Sequence, residues 1–186
     1  RRIYGDRGAL AAGLALAVLP LHVRFSHLAI TDTPATFWVS LSLLGAIGIV
    51  QEGRLRDYLL AGICAGLAGA TKYPGGLILV TGLAAALLRE PTLRRPGLWI
   101  ISSSALVAFA LATPYVWLDL SGFWADFSAM GADHFLSANG GEDALVYHLR
   151  YTAFYGMGLA VVTPALAAIV WRPRDWRHEE LLLLIF

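Results

Sequence analysis

The chain has 186 residues, of which 58% are hydrophobic and 15% are charged, and its mean hydropathy is +0.64. Soluble domains average about 45–50% apolar and about 25% charged residues, so this composition indicates a membrane protein. A net charge of +1 gives no basic field for nucleic acid, and no nucleic acid is expected as a partner.

Apolar runs alternate with short polar segments along the chain. This pattern predicts an all-α, polytopic integral membrane protein with about six to seven transmembrane helices. The runs cover about residues 9–21, 35–50, 58–71, 75–88, 98–118 and 153–171, and a seventh begins at residue 181. The chain begins without Met and ends in an apolar run that is too short to cross a bilayer. We therefore expect it to be an internal piece of a longer protein.

The distribution of cations predicts the orientation of the runs. If the runs cross the membrane alternately, eleven of the fourteen Lys and Arg residues share one side, and the positive-inside rule makes that side cytoplasmic. Arg24, Lys72 and Arg150 lie on the other side. The outer face then carries residues 22–34, 71–76 and 114–152, whose polar side chains are the candidates for chemistry. The inner loops, residues 50–57 and 89–96, are interpreted as solvated connectors.

Asp32 lies in a polar interruption between the first two apolar runs. An ionisable group at the mouth of membrane helices is costly, so it is a candidate functional residue by default. Pro34 favours the first position of a helix, which predicts Thr33 as the N-cap. Asp32 is then either an acid stabilised by the helix dipole or a catalytic or metal-facing carboxylate. His27, in the same loop, is either a ligand or proton carrier, or a hydrogen-bonded interfacial histidine.

Lys72 is the only lysine of the chain, and a turn containing two glycines follows it at residues 73–76. Glycines bring backbone N–H groups close to a ligand, and a compact ammonium beside such a turn suits a phosphate. Arg24 shares its side of the membrane and could complete an anion site. The alternative is that Lys72 snorkels to the interface and anchors its helix.

The third outer segment contains Phe123, Phe127 and Met130 at helical spacing, which predicts a helix lying at the membrane interface. Three Asp residues recur every seven positions on a neighbouring stripe, and we interpret them as solvated. His134 lies farther along, near other acids and histidines. Their spacing matches no compact metal-binding motif, so the sequence leaves open whether a divalent metal takes part.

The order of several short motifs resembles membrane glycosyltransferases of the C superfamily. The resemblance is to bacterial relatives of the dolichyl-phosphate-mannose protein mannosyltransferases and of the lipid A aminoarabinose transferases. The motifs are RIYG at 2–5, PLHVRFSH at 20–27, TDTP at 31–34, GLAGATKY at 66–73 and TPY at 113–115. They span the chain from Arg2 to about Tyr115.

This resemblance implies an enzyme that moves a sugar from a polyprenyl-phosphate donor to a lipid, glycan or protein acceptor. It implies transfer at the outer face of a plasma (inner) membrane, on the periplasmic or extracellular side. Asp32 matches the family's second acidic position and is the predicted catalytic residue, while Lys72, Tyr73 and Arg24 are predicted to bind the donor phosphate. The family's principal catalytic acid is expected upstream of residue 1.

His27 and His134 are candidates for a site in the outer loops. We expect residues 1–186 to be a single transmembrane glycosyltransferase domain, truncated at both ends. The main alternative is a secondary transporter or lipid flippase that uses Asp32 and Lys72 as a substrate or proton site. A structural or lipid-binding subunit is a third interpretation.

Overall fold

A computed structural model describes residues 2–89, 96–136, 146, 150, 161–164, 166–167 and 177–185. The regular elements in these ranges are all helices, as the all-α prediction requires. Those described along their whole length are α1 Gly5–Val18, α2 Pro20–Ser26, α3 Asp32–Gln51, α4 Leu55–Thr71, a 3₁₀ helix Tyr73–Leu77, α5 Ile78–Arg89, α6 Pro96–Ala112, α7 Pro114–Leu118, α8 Leu120–Leu136 and α9 His178–Ile185. The predicted run 153–171 lies largely outside the described residues.

The chain divides into two compact units. The first contains α1, α2 and α8, and the second contains α3 to α6, the 3₁₀ helix and α9. The expectation of one transmembrane domain over residues 1–186 stays a prediction.

Prolines divide two of the predicted apolar runs. The run 9–21 is interrupted at Leu19, whose backbone is extended, and Pro20 then begins α2 at an angle of 63° to α1. The run 98–118 is likewise divided, because α6 ends at Ala112 and Pro114 begins α7. Proline lacks an N–H group and disfavours helical geometry in the residue before it, so it starts a new helix more readily than it continues one. Hydrophobicity alone does not predict either break, because apolar residues lie on both sides of each proline.

The described helices differ in whether they could span a membrane. By length and composition, α3 could cross one alone, whereas α1 and α2 qualify only as a bent pair. Tyr73–Arg89 and Pro96–Ala112 are shorter apolar helices. The count of six to seven spans therefore stays a prediction.

Helices α3 and α4 pack closely and run antiparallel. A Cβ added at Gly45 would lie 2.6 Å from the Ala61 backbone nitrogen, and one at Gly48 would lie 2.5 Å from Asp57 Oδ1. The buried Ser42 hydroxyl donates to the Ala61 carbonyl over 2.8 Å. Glycine at these positions therefore lets the two backbones approach, as the spacing of Gly45 and Gly48 predicts.

Helices α4 and α6 are also in close contact, but they run parallel. A Cβ at Gly62 would lie 2.5 Å from the Ile101 carbonyl oxygen, and one at Gly66 would overlap the carbonyl oxygen of Ala105. The GxxxG pair of α4 is therefore confirmed as a helix contact. Ile101, at this contact, belongs to the hydrophobic core of the second unit. The buried residues of that core are Ala46, Ile49, Ala61, Ala85, Ala86, Ile101 and Leu182.

Asp57, in the first turn of α4, is not a solvated loop acid. Only 2% of the residue is exposed. Its Oδ2 accepts the Arg54 N–H over 3.3 Å, and its Oδ1 lies 3.8 Å from the Arg2 guanidinium. The carboxylate therefore caps the start of α4, where negative charge is favoured.

Arg89 likewise has a structural role beyond topology. Its guanidinium donates to the carbonyls of Ile49 and Val50, at 3.2 and 3.0 Å, and so satisfies the C-terminal end of α3. Gly53 approaches this guanidinium with a φ of +63°. The interpretation as plain solvated connectors is therefore wrong for Asp57 and Arg89, and residues 90–95 of the second loop lie outside the described residues. The predicted placement of Arg54 and Arg89 at the same end of the helices is confirmed, and which membrane face that end meets stays a prediction.

Asp119 is exposed, as its interpretation as a solvated acid requires, and it also caps the start of α8. Its Oδ1 accepts the Gly122 N–H over 2.9 Å and the Ser121 hydroxyl over 3.0 Å. These hydrogen bonds, the one from Gly122 first, lower the pKa of the Asp119 carboxyl below its ordinary value. Farther along the helix, the Phe123 and Phe127 rings lie 5.7 Å apart and form an aromatic face.

Candidate functional site

An ion pair joins the beginning of α3 to the end of α4. Lys72 Nζ donates directly to Asp32 Oδ1, across a separation of 40 positions in the sequence. The antiparallel packing of the two helices produces this contact, because it places the first turn of α3 beside the last turn of α4. The pair lies at the end of the second unit opposite Arg54 and Arg89.

Asp32 is the first residue of α3, and this position corrects the predicted cap. Thr31 is the N-cap, and its carbonyl accepts the Ala35 N–H over 3.0 Å. The helix starts ahead of the predicted Thr33 because Pro34 is tolerated in the first turn, where N–H groups have no partner within the helix. The carboxylate of Asp32 therefore lies at the positive end of the α3 dipole and also pairs with Lys72.

Lys72 ends α4 in an extended conformation, with φ −155° and ψ 119°. Its N–H still donates to the Ala68 carbonyl over 2.9 Å, and its own carbonyl accepts the Gly75 N–H over 2.8 Å. Pro74 follows within the 3₁₀ helix, so the chain turns sharply after the lysine. Backbone bonds on both sides thus fix the base of the Lys72 side chain.

Both side chains of the pair are accessible. Lys72 is 47% exposed and Asp32 is 39% exposed. Measured energies of such partly exposed pairs are typically about 0–1 kcal/mol, because solvent screens the attraction. A bound ligand can therefore compete for either group.

The other predicted site residues are distributed over both units. Tyr73 directly follows Lys72 in the second unit, while Arg24, His27 and His134 belong to the first unit. Arg24 is exposed in the last turn of α2, and His27 Nδ1 lies 2.7 Å from the Val23 carbonyl oxygen, to which it donates. His134 lies in α8, and its side chain is outside the described part. The structure thus joins Asp32 to Lys72, with Tyr73 adjacent in the chain.

Within the described ranges, no group of three His, Cys, Asp or Glu side chains is arranged to hold a metal ion. Whether a divalent metal takes part therefore stays open, as in the sequence analysis.

An apolar groove of about 760 Å³ runs between α4 and α6. Its α4 wall consists of Leu55, Leu59, Ile63 and Leu67, which recur every four residues. That stripe lies on the side of α4 opposite Ala61, which faces α3, so the groove does not include the ion pair. The four-residue spacing is present in the sequence, but most of the neighbouring residues of α4 are also apolar, so the stripe does not stand out from the apolar run.

Comparison with known proteins identifies the family. Residues 1–117 match the family model described as dolichyl-phosphate-mannose-protein mannosyltransferase. The lipopolysaccharide core galacturonosyltransferase RgtA of Rhizobium johnstonii is 31% identical over 121 residues, which cover 63% of this chain and 24% of that protein. The chain thus spans about a quarter of the length of this curated relative. No solved structure matches.

The matched segment ends close to Tyr115, where the resemblance read from the motifs also ends. It contains both partners of the ion pair. Because the family model covers more than half of the chain, the chain belongs to the dolichyl-phosphate-mannose-protein mannosyltransferase family.

Proposed function

We propose that this chain is part of an integral membrane glycosyltransferase. The enzyme moves a sugar from a polyprenyl-phosphate donor to a lipid, glycan or protein acceptor on the outer face of the membrane. The observation that carries the proposal is the contact between Lys72 and Asp32, a cation and an acid that lie within the segment matching the family.

The pair supplies the two electrostatic needs of glycosyl transfer. The acceptor hydroxyl oxygen attacks the anomeric carbon, and the bond from that carbon to the phosphate oxygen breaks. The leaving phosphate keeps the electron pair, and the Lys72 ammonium offsets its charge. The acceptor proton passes to a base, and the Asp32 carboxylate orients or deprotonates the hydroxyl. A single displacement of this kind inverts the configuration of the sugar.

The remaining predicted residues have supporting roles in the proposal. Tyr73 and Arg24 contact the donor phosphate, while His27 and His134 belong to the outer-loop site. The principal catalytic acid lies upstream of residue 1. The enzyme resides in the plasma (inner) membrane with its active face periplasmic or extracellular. The name of the relative, a lipopolysaccharide core galacturonosyltransferase, favours a glycan among the three acceptor classes. Family membership favours a transferase over the transporter or flippase alternative.

The test is Asp32→Asn in the full-length protein, because the amide keeps the size of the side chain and removes its charge and basicity. A positioned acid or base typically contributes 10²–10⁴-fold, so we expect turnover to fall within that range while the melting temperature is retained. Glu52→Gln is the matched control, since Glu52 is 37% exposed and pairs with Arg54 at the opposite end of the helices. Wild-type turnover in Asp32→Asn would leave Asp32 as an acid that only stabilises the start of α3.

A further inference from the structure

The two residues with distinct roles in the proposed reaction are bonded to each other in the structure. The Lys72 ammonium, which would receive a phosphate, is in direct contact with Asp32 Oδ1. The Asp32 carboxylate, which would serve the acceptor, is therefore paired. In this state neither group is available for its proposed task.

We propose that this ion pair is the resting state of the site and that an anionic phosphate headgroup displaces Asp32 from Lys72. Displacement leaves the Asp32 carboxylate unpaired for the acceptor. This inference rests on the proposed function and adds a binding order to it. The donor binds first, and the Asp32 carboxylate becomes available to the acceptor only afterwards.

The competition favours the phosphate. Lys72 and Asp32 are 47% and 39% exposed, so solvent screens their attraction. A phosphate group offers several acceptor oxygens to the three N–H donors of an ammonium, whereas Asp32 contacts Lys72 through one oxygen. A carboxylate and a phosphate at the same ammonium also repel each other. Binding of the phosphate therefore loosens the original pair.

The structure also indicates which partner moves. Asp32 is held within the first turn of α3, and its carbonyl accepts the Thr36 hydroxyl over 2.8 Å. At this position the helix dipole stabilises a carboxylate without help from Lys72. Lys72, by contrast, has a flexible four-carbon stem and lies where α4 has already ended. The ammonium can thus turn to a phosphate while the carboxylate stays in place.

The experiment measures binding of undecaprenyl phosphate, which carries no sugar and permits no turnover. The full-length protein is placed in phosphatidylcholine nanodiscs, which contribute no net anionic lipid, and four forms are compared: wild type, Asp32→Asn, Lys72→Met and the double variant. We expect Lys72→Met to bind more weakly than wild type. We expect Asp32→Asn to bind up to about fivefold more tightly, which is the upper range for release of an exposed ion pair.

The double variant and the controls separate the explanations. The gain from Asp32→Asn should vanish in the Lys72→Met background, because no ammonium is left to release. Glu52→Gln, which removes a comparable paired carboxylate at the other end, should leave binding unchanged. Asp32→Ser is a second variant that removes the charge and suits a helix N-terminus, and melting temperatures identify any variant that fails to fold.

Three results would overturn the inference. Unchanged or weaker binding in Asp32→Asn, with weak binding in Lys72→Met, means that Asp32 positions Lys72 for the donor; the proposed donor site then survives and the displacement does not. A gain that persists without Lys72 means simple charge repulsion. Wild-type affinity in Lys72→Met removes the donor site itself, and the role of Lys72 in the proposed function falls with the inference.

Discussion

The contact between α4 and α6 leads to a quantitative prediction for Gly62→Ala. The new Cβ would lie 2.5 Å from the Ile101 carbonyl oxygen, and it would also overlap the Ser104 hydroxyl. The carbonyl belongs to helical backbone, so the strain is relieved only if α6 moves away from α4. Inserting a methyl group into a packed site typically costs about 1–3 kcal/mol.

Gly82→Ala is the matched control for this prediction. A Cβ at Gly82 would lie 3.6 Å from its nearest neighbours, on Ala61 and Ile101, which is ordinary van der Waals contact. Both substitutions replace a helical glycine by alanine, so the gain in helix propensity cancels between them. The difference in unfolding free energy between the two variants should therefore equal the overpacking cost of about 1–3 kcal/mol.

The assay measures the melting temperature of the detergent-solubilised full-length protein. Fluorescence-detected size-exclusion chromatography monitors how much folded protein remains after heating. We expect Gly62→Ala to melt below wild type and Gly82→Ala to melt at or above it. If both variants melted at the same temperature, α6 would be free to retreat from α4 without cost, and the reasoning from close backbone contact would be refuted.

Two further predictions concern topology and pH. Cysteines introduced at Arg54 and Arg94 should react with impermeant reagents only from the cytoplasmic side, and one at Asn139 only from the outside; opposite faces for Arg54 and Arg94 would refute the orientation. Because the pKa of Asp119 is lowered, its stabilisation of the start of α8 is complete above the ordinary value of 3.8 and disappears as pH falls through the lower, folded-state pKa. The protection factor of the Gly122 amide, which is its exchange rate relative to the intrinsic rate at the same pH, should therefore fall at low pH in wild type but not in Asp119→Ala. An equal fall in both proteins would refute the cap.

The sequence identified the members of the ion pair but not their contact. Asp32 and Lys72 each stood out as an ionisable group at the end of an apolar run. Their pairing depends on how α3 and α4 pack side by side, and no local pattern encodes contacts between positions so far apart. The GxxxG spacing of Gly62 and Gly66 was more informative, because small residues at that spacing directly favour close packing.

Other errors have local causes. Thr33 was wrongly predicted as the cap because Pro34 was assigned to the first helical position, although the whole first turn tolerates proline. The role of Arg89 was missed because the positive-inside rule already accounted for a cation there. Its hydrogen bonds to Ile49 and Val50 depend on the packing of α5 against α3, which composition does not reveal.

The glycine contact of α4 has a consequence for how this helix can change during evolution. Gly62 and Gly66 accept an added methyl group only if α6 moves away, whereas Leu59 and Ile63, on the groove side, are exposed in the described part of the chain. On the groove side, around Leu59 and Ile63, we therefore expect apolar residues to replace one another during evolution. On the neighbouring face, Gly62 and Gly66 should hardly change. A sequence search for distant members of the family should therefore give more weight to two small residues four positions apart than to the overall hydrophobicity of the segment.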